Sequence, residues 1–373
     1  MNLLEQARVE IDRIDNEMAR LFEQRMKAAE LVAEHKKIHC LPIEDKAREN
    51  AMIKRNAEGV EFAYRPYYEQ FLTSLITESK KYQKCLLEGM TIAYSGVEGA
   101  FAHLAARRIF KAGTTVACQN FEEAYRAVEQ GRCDCAVLPI ENSYAGDVDT
   151  VMDLAYRGTL SISGIYDMPL SQSLLGKPGV AISEIKEVCS HPQALSQCMP
   201  YLQSHGWQLT QAVNTAMAAQ AVAQGERRDI AVVAAREAAE IYGLEVLEGD
   251  INENKNNTTR FAVFTRTPCE VAPADKHFVL MFTIKNEPGS LGRAIAAISE
   301  GGFNLKCLKS HPTGNENWSY YFYSEGEGNL GSPEGKAMLA DLGHVCEQVK
   351  LLGSFASERV LECSGKIGKG ANK

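Results

Sequence analysis

Arg25 sits on a seam that is otherwise apolar. Leu4, Ala7, Ile11, Ile14, Met18 and Leu21, then Ala28 and Val32, recur at heptad spacing, the pattern of one face of a long amphipathic helix. A guanidinium on that face is costly unless an anion meets it. Lys36 lies eleven residues further on, about three turns, so both cations face the same direction. Asp45, Arg48 and Glu49 stand at i, i+3 and i+4, and Ser79 and Gln83 extend the apolar stripe of Tyr68, Phe71, Leu72, Leu75 and Ile76. Cations, carboxylates, a hydroxyl and an amide facing a helical interior suit the grip of a small polyanion. Ion pairs on a solvated helix face are the competing explanation.

Further along, polar strings punctuate apolar runs: Gly96-Val-Glu-Gly99-Ala-Phe101, Pro139-Ile-Glu-Asn-Ser143, Ser190-His-Pro-Gln193, Asn214-Thr215 and Asn257-Thr258-Thr259-Arg260-Phe261. They stand at strand ends, where α/β folds bind ligands. Thr215 opens a helix and reads as a cap, although helix N-termini also receive carboxylates. His191 before Pro192 reads as structural.

Three kinds of element must position these residues. Residues 1–88 read as all-helical: a helix over 4–39, interrupted by Pro42, a short one to Gly59 and a third from Pro66 to Leu86. The first would be roughly 54 Å long, too long for one copy to cover its stripe, which implies pairing with a second chain. From 90 to 266, runs such as TIAYS, TTVAC, CAVLPI and IAVVAA alternate with Ala-rich helical stretches, the signature of α/β. A Pro-containing linker is expected over 267–276. Residues 277–354 read βαββαβ, the ferredoxin-like α+β arrangement, and 355–373 as a disordered tail.

The chain has 373 residues and a formal charge of −8, enough length for two or three domains and the wrong sign for nucleic acid or an anionic membrane surface. Its 11 Cys include no CxxC, so neither a zinc site nor a redox motif is expected and a reducing compartment is. The N-terminus carries no apolar signal region and no run is long enough to span a membrane. Composition thus predicts a soluble, cytoplasmic protein.

The array Arg8, Arg25, Lys36, Asp45, Arg48, Glu49, Ser79 and Gln83 on three helices resembles the all-helical chorismate mutases of bifunctional enteric-type enzymes. That resemblance implies a domain-swapped dimer in which Arg8 enters the partner's site. The rearrangement of chorismate needs no nucleophile or proton transfer, only the reactive conformer and stabilisation of charge on the ether oxygen. Arg8, Arg25 and Arg48 then suit the two carboxylates, Lys36 and Gln83 the ether oxygen, and Glu49 with Asp45 the hydroxyl.

The strings of residues 90–266 together resemble prephenate dehydratase, whose signatures include GxxG(S/A), PIENS, SHPQ, STxAA and TRF. The resemblance implies two α/β lobes like those of periplasmic binding proteins, with prephenate in the cleft. Thr259 would be the acid assisting departure of the ring hydroxyl. Asn142, Ser190, Gln193, Gln197 and Thr215 would line the cleft, and Arg260 would hold a carboxylate. Asn214 replaces the family's usual Ser.

The third segment resembles an ACT domain, a ferredoxin-like module that binds amino acids between paired subunits. Gly289, Ser290, Leu291, Ser310 and Pro312 fall in the strings that related dehydratases use for phenylalanine, while Lys309 and His311 depart from them. Gly326-Glu-Gly328-Asn-Leu-Gly331 matches a dinucleotide fingerprint, but no acidic residue closes a following strand about 20 residues on. A glycine-rich connection explains it.

The implied enzyme converts chorismate through prephenate to phenylpyruvate with no metal or organic cofactor. Phenylalanine is the expected effector and a homodimer the expected assembly, with a tetramer as the alternative. Two rivals stand beside it: a mutase fused to prephenate dehydrogenase, which needs an NAD fingerprint near residue 90, and a mutase fused to a prephenate or amino-acid sensor without dehydratase activity.

Overall fold

The computed structural model describes residues 2–87, 89–314 and 319–361, which fall into two compact units: 1–90 with 110–114, and the remainder.

The first unit is helical: α1 Leu3–Ile38, α2 Lys46–Glu58, a 3-10 turn Phe62–Tyr64 and α3 Arg65–Leu87. A capping box starts α1, with Asn2 Oδ1 accepting from the Glu5 amide at 2.8 Å and Glu5 Oε2 from the Asn2 amide at 3.0 Å. No Gly or Pro interrupts its 36 residues. Cys40, at φ 51°, turns the chain ahead of Pro42. Ala29 and Ala33 are the buried residues of α1, while its expected seam is bare, with Leu4 58%, Ile11 55% and Leu21 57% exposed.

The second unit opens with β1 Thr91–Ser95, α4 Phe101–Ile109, β2 Thr114–Cys118, α5 Phe121–Glu129, β3 Cys135–Asn142, β4 Gly146–Asp147, α6 Asp149–Arg157 and β5 Ser161–Pro169. A second lobe follows: β6 Ser173–Gly176, β7 Glu187–Ser190, α7 Pro192–Gln197, α8 Met199–His205, β8 Gln208–Gln211, α9 Thr215–Gln224, β9 Ile230–Ala234, α10 Glu237–Tyr242 and β10 Glu245–Glu248. β11 Thr258–Thr265 returns to the first lobe, between β3 and β5. The C-terminal segment is β12 His277–Thr283, α11 Ser290–Glu300, β13 Asn304–Pro312, β14 Tyr320–Glu327, α12 Pro333–Val345, β15 Gln348–Phe355 and β16 Arg359–Val360. Its βαββαβ order matches the sequence expectation.

Two sheets carry the lobes. The second lobe has the order β10-β6-β9-β7-β8, and the larger sheet runs β13-β14-β12-β15-β5-β11-β3-β1-β2. The larger sheet corrects the domain expectation: residues 267–276 do not separate two independent bodies, because β15 pairs with β5 at Gly353↔Ile162. A Cβ on Gly353 would lie 2.6 Å from the Ile162 carbonyl oxygen, so only glycine permits the junction. Side chains from both sides, among them Ile162, Phe264, Val279 and Tyr321, share one core. The expected tail is also shorter than its sequence suggested. β15 reaches Phe355 and β16 pairs with β5, while residues 362–373 and the expected start of the strand at 317–318 lie outside the described residues.

Candidate active sites

The helical unit holds a half-open cavity of about 230 Å³ lined by Arg25, Lys36, Asp45, Arg48, Glu49, Ser79, Lys80 and Gln83 over an apolar floor that includes Val32 and Ile76. The seven residues singled out by spacing therefore meet in one place. Arg25 donates through Nη1 to Ser79 Oγ, and burial lowers its pKa. Lys36 Nζ donates to the Ile43 carbonyl at 2.6 Å. Ser79 and Gln83 are buried, and the Gln83 amide oxygen has no hydrogen-bond partner, a cost that a bound donor or a reoriented amide would remove. Asp45 is the N-cap of α2, its Oδ1 accepting from the Arg48 amide at 3.1 Å, and Glu49 Oε1 accepts from the Asp45 amide at 3.5 Å.

Arg8 is elsewhere. It is exposed on α1, seventeen residues before Arg25, about 25 Å along the axis, and cannot reach the cavity of its own chain. Lys80 is the residue that spacing missed: it lines the cavity and pairs with Glu49 at 2.9 Å. Between Ser79 and Lys81 it reads in the sequence as one more solvated charge.

In the second unit a buried amide chain surrounds Thr259. Asn142 Nδ2 donates to Thr259 Oγ1 and to Asn257 Oδ1, both at 2.9 Å. The Asn142 amide cannot flip, because its Oδ1 accepts from the amides of Tyr144 and Ala145 at 3.0 Å and from Gln193 Nε2 at 3.4 Å. Gln197 Oε1 accepts from Asn257 Nδ2 at 3.1 Å and from Gln172 Nε2 at 3.5 Å. Gln193 and Gln197 lie on α7 and Asn142 on β3, so residues from both lobes join one hydrogen-bond chain that reaches Thr259 through Asn142. A hydroxyl that accepts a hydrogen bond donates its own proton more readily.

Three expectations are corrected here. Ser190 is fully buried and donates to the Val233 carbonyl at 2.5 Å, so it ties β7 to β9 and does not line an opening. Thr215 is not the cap of α9; Asn214 is, accepting from the Met217 amide at 2.7 Å, which gives the substituted residue a role and leaves Thr215 half-buried at the first helical position. Arg260 does not face Thr259. Successive strand residues point to opposite faces, and on the other face Arg260 meets Glu325 at 2.7 Å, Asp167 at 3.2 Å, Glu358 at 3.3 Å and Glu141 at 3.6 Å. Burial alone would lower the guanidinium's pKa, but Glu325 leads the opposing charges and the net shift is upward. Asn257, which opens the late polar string but had been given no role, and Gln172, which sequence reasoning missed, are both buried in the amide chain. His191, read as structural, caps α7.

In the C-terminal segment Gly289, at φ 84°, precedes α11, and Ser290 Oγ accepts from Arg293 Nη2 at 2.9 Å. Leu291 is half-buried. On β13 Ser310 and Pro312 are exposed, whereas Lys309 and His311 turn to the opposite face, so the two departures from the family string do not share a face with the two matches. The dinucleotide-like glycines serve packing: a Cβ on Gly326 would lie 2.2 Å from the Phe278 ring.

A chorismate mutase type II family model matches residues 7–84 and a prephenate dehydratase model residues 92–269. The bifunctional chorismate mutase/prephenate dehydratase of Escherichia coli (strain K12) is 30% identical over 373 residues, covering 95% of this chain and 96% of its own. The chain belongs to the bifunctional chorismate mutase/prephenate dehydratase family. It is an isomerase and a carbon–oxygen lyase, turning chorismate into prephenate and prephenate into phenylpyruvate on the route to phenylalanine. Among solved structures, the prephenate dehydratase of Arthrobacter aurescens, in complex with L-Phe, matches with TM-score 0.66 and 27% identity, covering 72% of this chain and 90% of that one. GqqA, described as a novel type of quorum quenching acylase, matches with TM-score 0.66 and 31% identity, covering 71% and 97%. No described helix is long and apolar enough to cross a membrane.

Proposed function

We propose that the two reactions run on separate parts of the chain, the mutase on residues 1–88 and the dehydratase on 90–266. The observation that carries the first assignment is the cavity in which Arg25, Lys36 and Arg48 face the buried Gln83 amide. Arg25 and Arg48 take the carboxylates of chorismate, Lys36 and Gln83 donate to its ether oxygen, and Glu49, assisted by Ser79 and Asp45, holds the hydroxyl side. Arg8 completes the site from a second copy, because its own cavity is out of reach and the bare seam of α1 requires a partner. The working assembly is a cytoplasmic homodimer or a multiple of it.

For the second reaction Thr259 is the acid that helps the ring hydroxyl leave, with Asn142, Gln193 and Gln197 holding it and the substrate. Loss of carbon dioxide with aromatisation supplies the driving force, so a modest donor suffices. Residues 277–354 serve as an ACT domain binding phenylalanine through Gly289, Ser290, Leu291, Ser310 and Pro312. The βαββαβ order and the L-Phe complex of the Arthrobacter relative support that reading.

Two variants test the division. Arg25→Ala lowers mutase activity by at least ~100-fold and leaves conversion of prephenate intact, and Thr259→Ala does the reverse. Phenylpyruvate must form from prephenate without added NAD. Equal loss of both activities in either variant contradicts the division.

A further inference from the structure

The face of β11 opposite Thr259 is gripped by the C-terminal segment. Thr259 pairs in register with Asn142 on β3, and the next residue pair, Arg260 with Glu141, stands on the other side of the sheet. Each member of that second pair is held by an opposite charge from beyond β5. Glu325 of β14, itself 4% exposed, binds Arg260 at 2.7 Å and accepts from the Tyr323 hydroxyl at 2.6 Å. Lys309 of β13 binds Glu141 at 2.8 Å and also pairs with Asp147. One residue of backbone therefore separates each half of the Thr259–Asn142 hydrogen bond from an ion pair with the C-terminal segment.

We propose that Glu325 and Lys309 are positioning residues for the dehydratase reaction, fixing strands β11 and β3 so that Thr259 and Asn142 stay at hydrogen-bond distance. The proposal rests on the reading of Thr259 and Asn142 as the reacting and orienting groups. Removing Glu325 takes the nearest of four carboxylates from Arg260, and removing Lys309 takes a cation from the partly buried Glu141, which weakens the pairing that holds each strand. Arg260 then recentres on Asp167, Glu358 and Glu141, and the strand carrying Thr259 shifts with it. A displacement on the ångström scale is enough to cost on the order of 100-fold in a positioned reaction. A ligand that moves the C-terminal segment would act on the reaction through the same two contacts.

The test uses the full chain, measures both activities on each preparation, and checks folding of the second unit by its thermal midpoint, since the mutase lies on the other unit. Glu325→Gln and Lys309→Met are each expected to lower dehydratase kcat by on the order of 10-fold to 100-fold, with KM for prephenate and mutase activity nearly unchanged. Lys309→Arg restores kcat. Unchanged kcat in both variants, alongside loss of activity in Thr259→Ala, overturns the proposal and leaves the site reading standing. An active Thr259→Ala enzyme overturns the reading and the proposal together. Should Glu325→Gln lose both activities, Tyr323→Phe decides: it deletes only the hydroxyl that orients Glu325, and a several-fold fall in kcat supports the proposal whereas none overturns it.

Discussion

In the mutase site proposed above, one donor is a neutral amide. Gln83 is buried among Arg25, Lys36 and Glu49 and carries no proton that titrates in the working range, so the mutase rate should stay flat from pH 6 to about 9. A steep fall in kcat between pH 6 and 8 would rule out Gln83 as the donor to the ether oxygen. Lys80 is a sharper case. It neutralises Glu49 across 2.9 Å, and Lys80→Met should lower mutase kcat/KM several-fold while Lys80→Arg keeps it, as measured by chorismate disappearance. Helical periodicity made seven of the cavity residues legible, because positions three, four and eleven apart must share a face. It could not reveal Lys80, whose partner is 31 residues away, nor the fate of Arg260. Reading Arg260 as a substrate ligand failed because strand alternation sends it opposite to Thr259, toward carboxylates from four different segments.

At the level of elements, α1 and the β15–β5 contact carry the most risk. The first half of α1 exposes Leu4, Ile11, Ile14 and Leu21, so in a lone chain Leu21→Glu would be harmless. If the seam is covered by a second copy, the same change abolishes mutase activity and spares the dehydratase, which parallel assays would show. At the β15–β5 contact, Gly353→Val places side-chain atoms where the Ile162 carbonyl already stands. It should lower the thermal midpoint and the dehydratase rate together. The heptad seam and the βαββαβ order were legible because both are local patterns. Short strands such as β6, β8 and β10, four residues each, carry too little sequence to display a period of two. The merger of two expected domains into one sheet depends on pairings of β15 and β16 with β5 between residues 191 to 193 apart in the chain, which local sequence cannot signal.

Across the whole molecule, charge governs how the C-terminal segment is held. Burial by itself would raise the pKa of Glu358, but Lys306 at 2.6 Å and then Arg260 outweigh it, and the net shift is down. A depressed carboxyl stabilises the fold above its unfolded value of about 4.3, and that contribution disappears as pH falls through the lower folded value. Acid unfolding followed by circular dichroism should therefore start at higher pH in Lys306→Met than in the wild type.

Assembly is the other whole-molecule property: in the proposed mutase site chorismate is gripped by cations from two chains. Arg8→Ala and Arg25→Ala should each be inactive as mutases when pure. Mixed, dissociated and reassociated, they should regain about a quarter of the wild-type sites, because a heterodimer unites the intact Arg25 of one chain with the intact Arg8 of the other. Recovered mutase activity near that fraction is the predicted result. No recovery from a mixture shown to contain heterodimers would contradict the account.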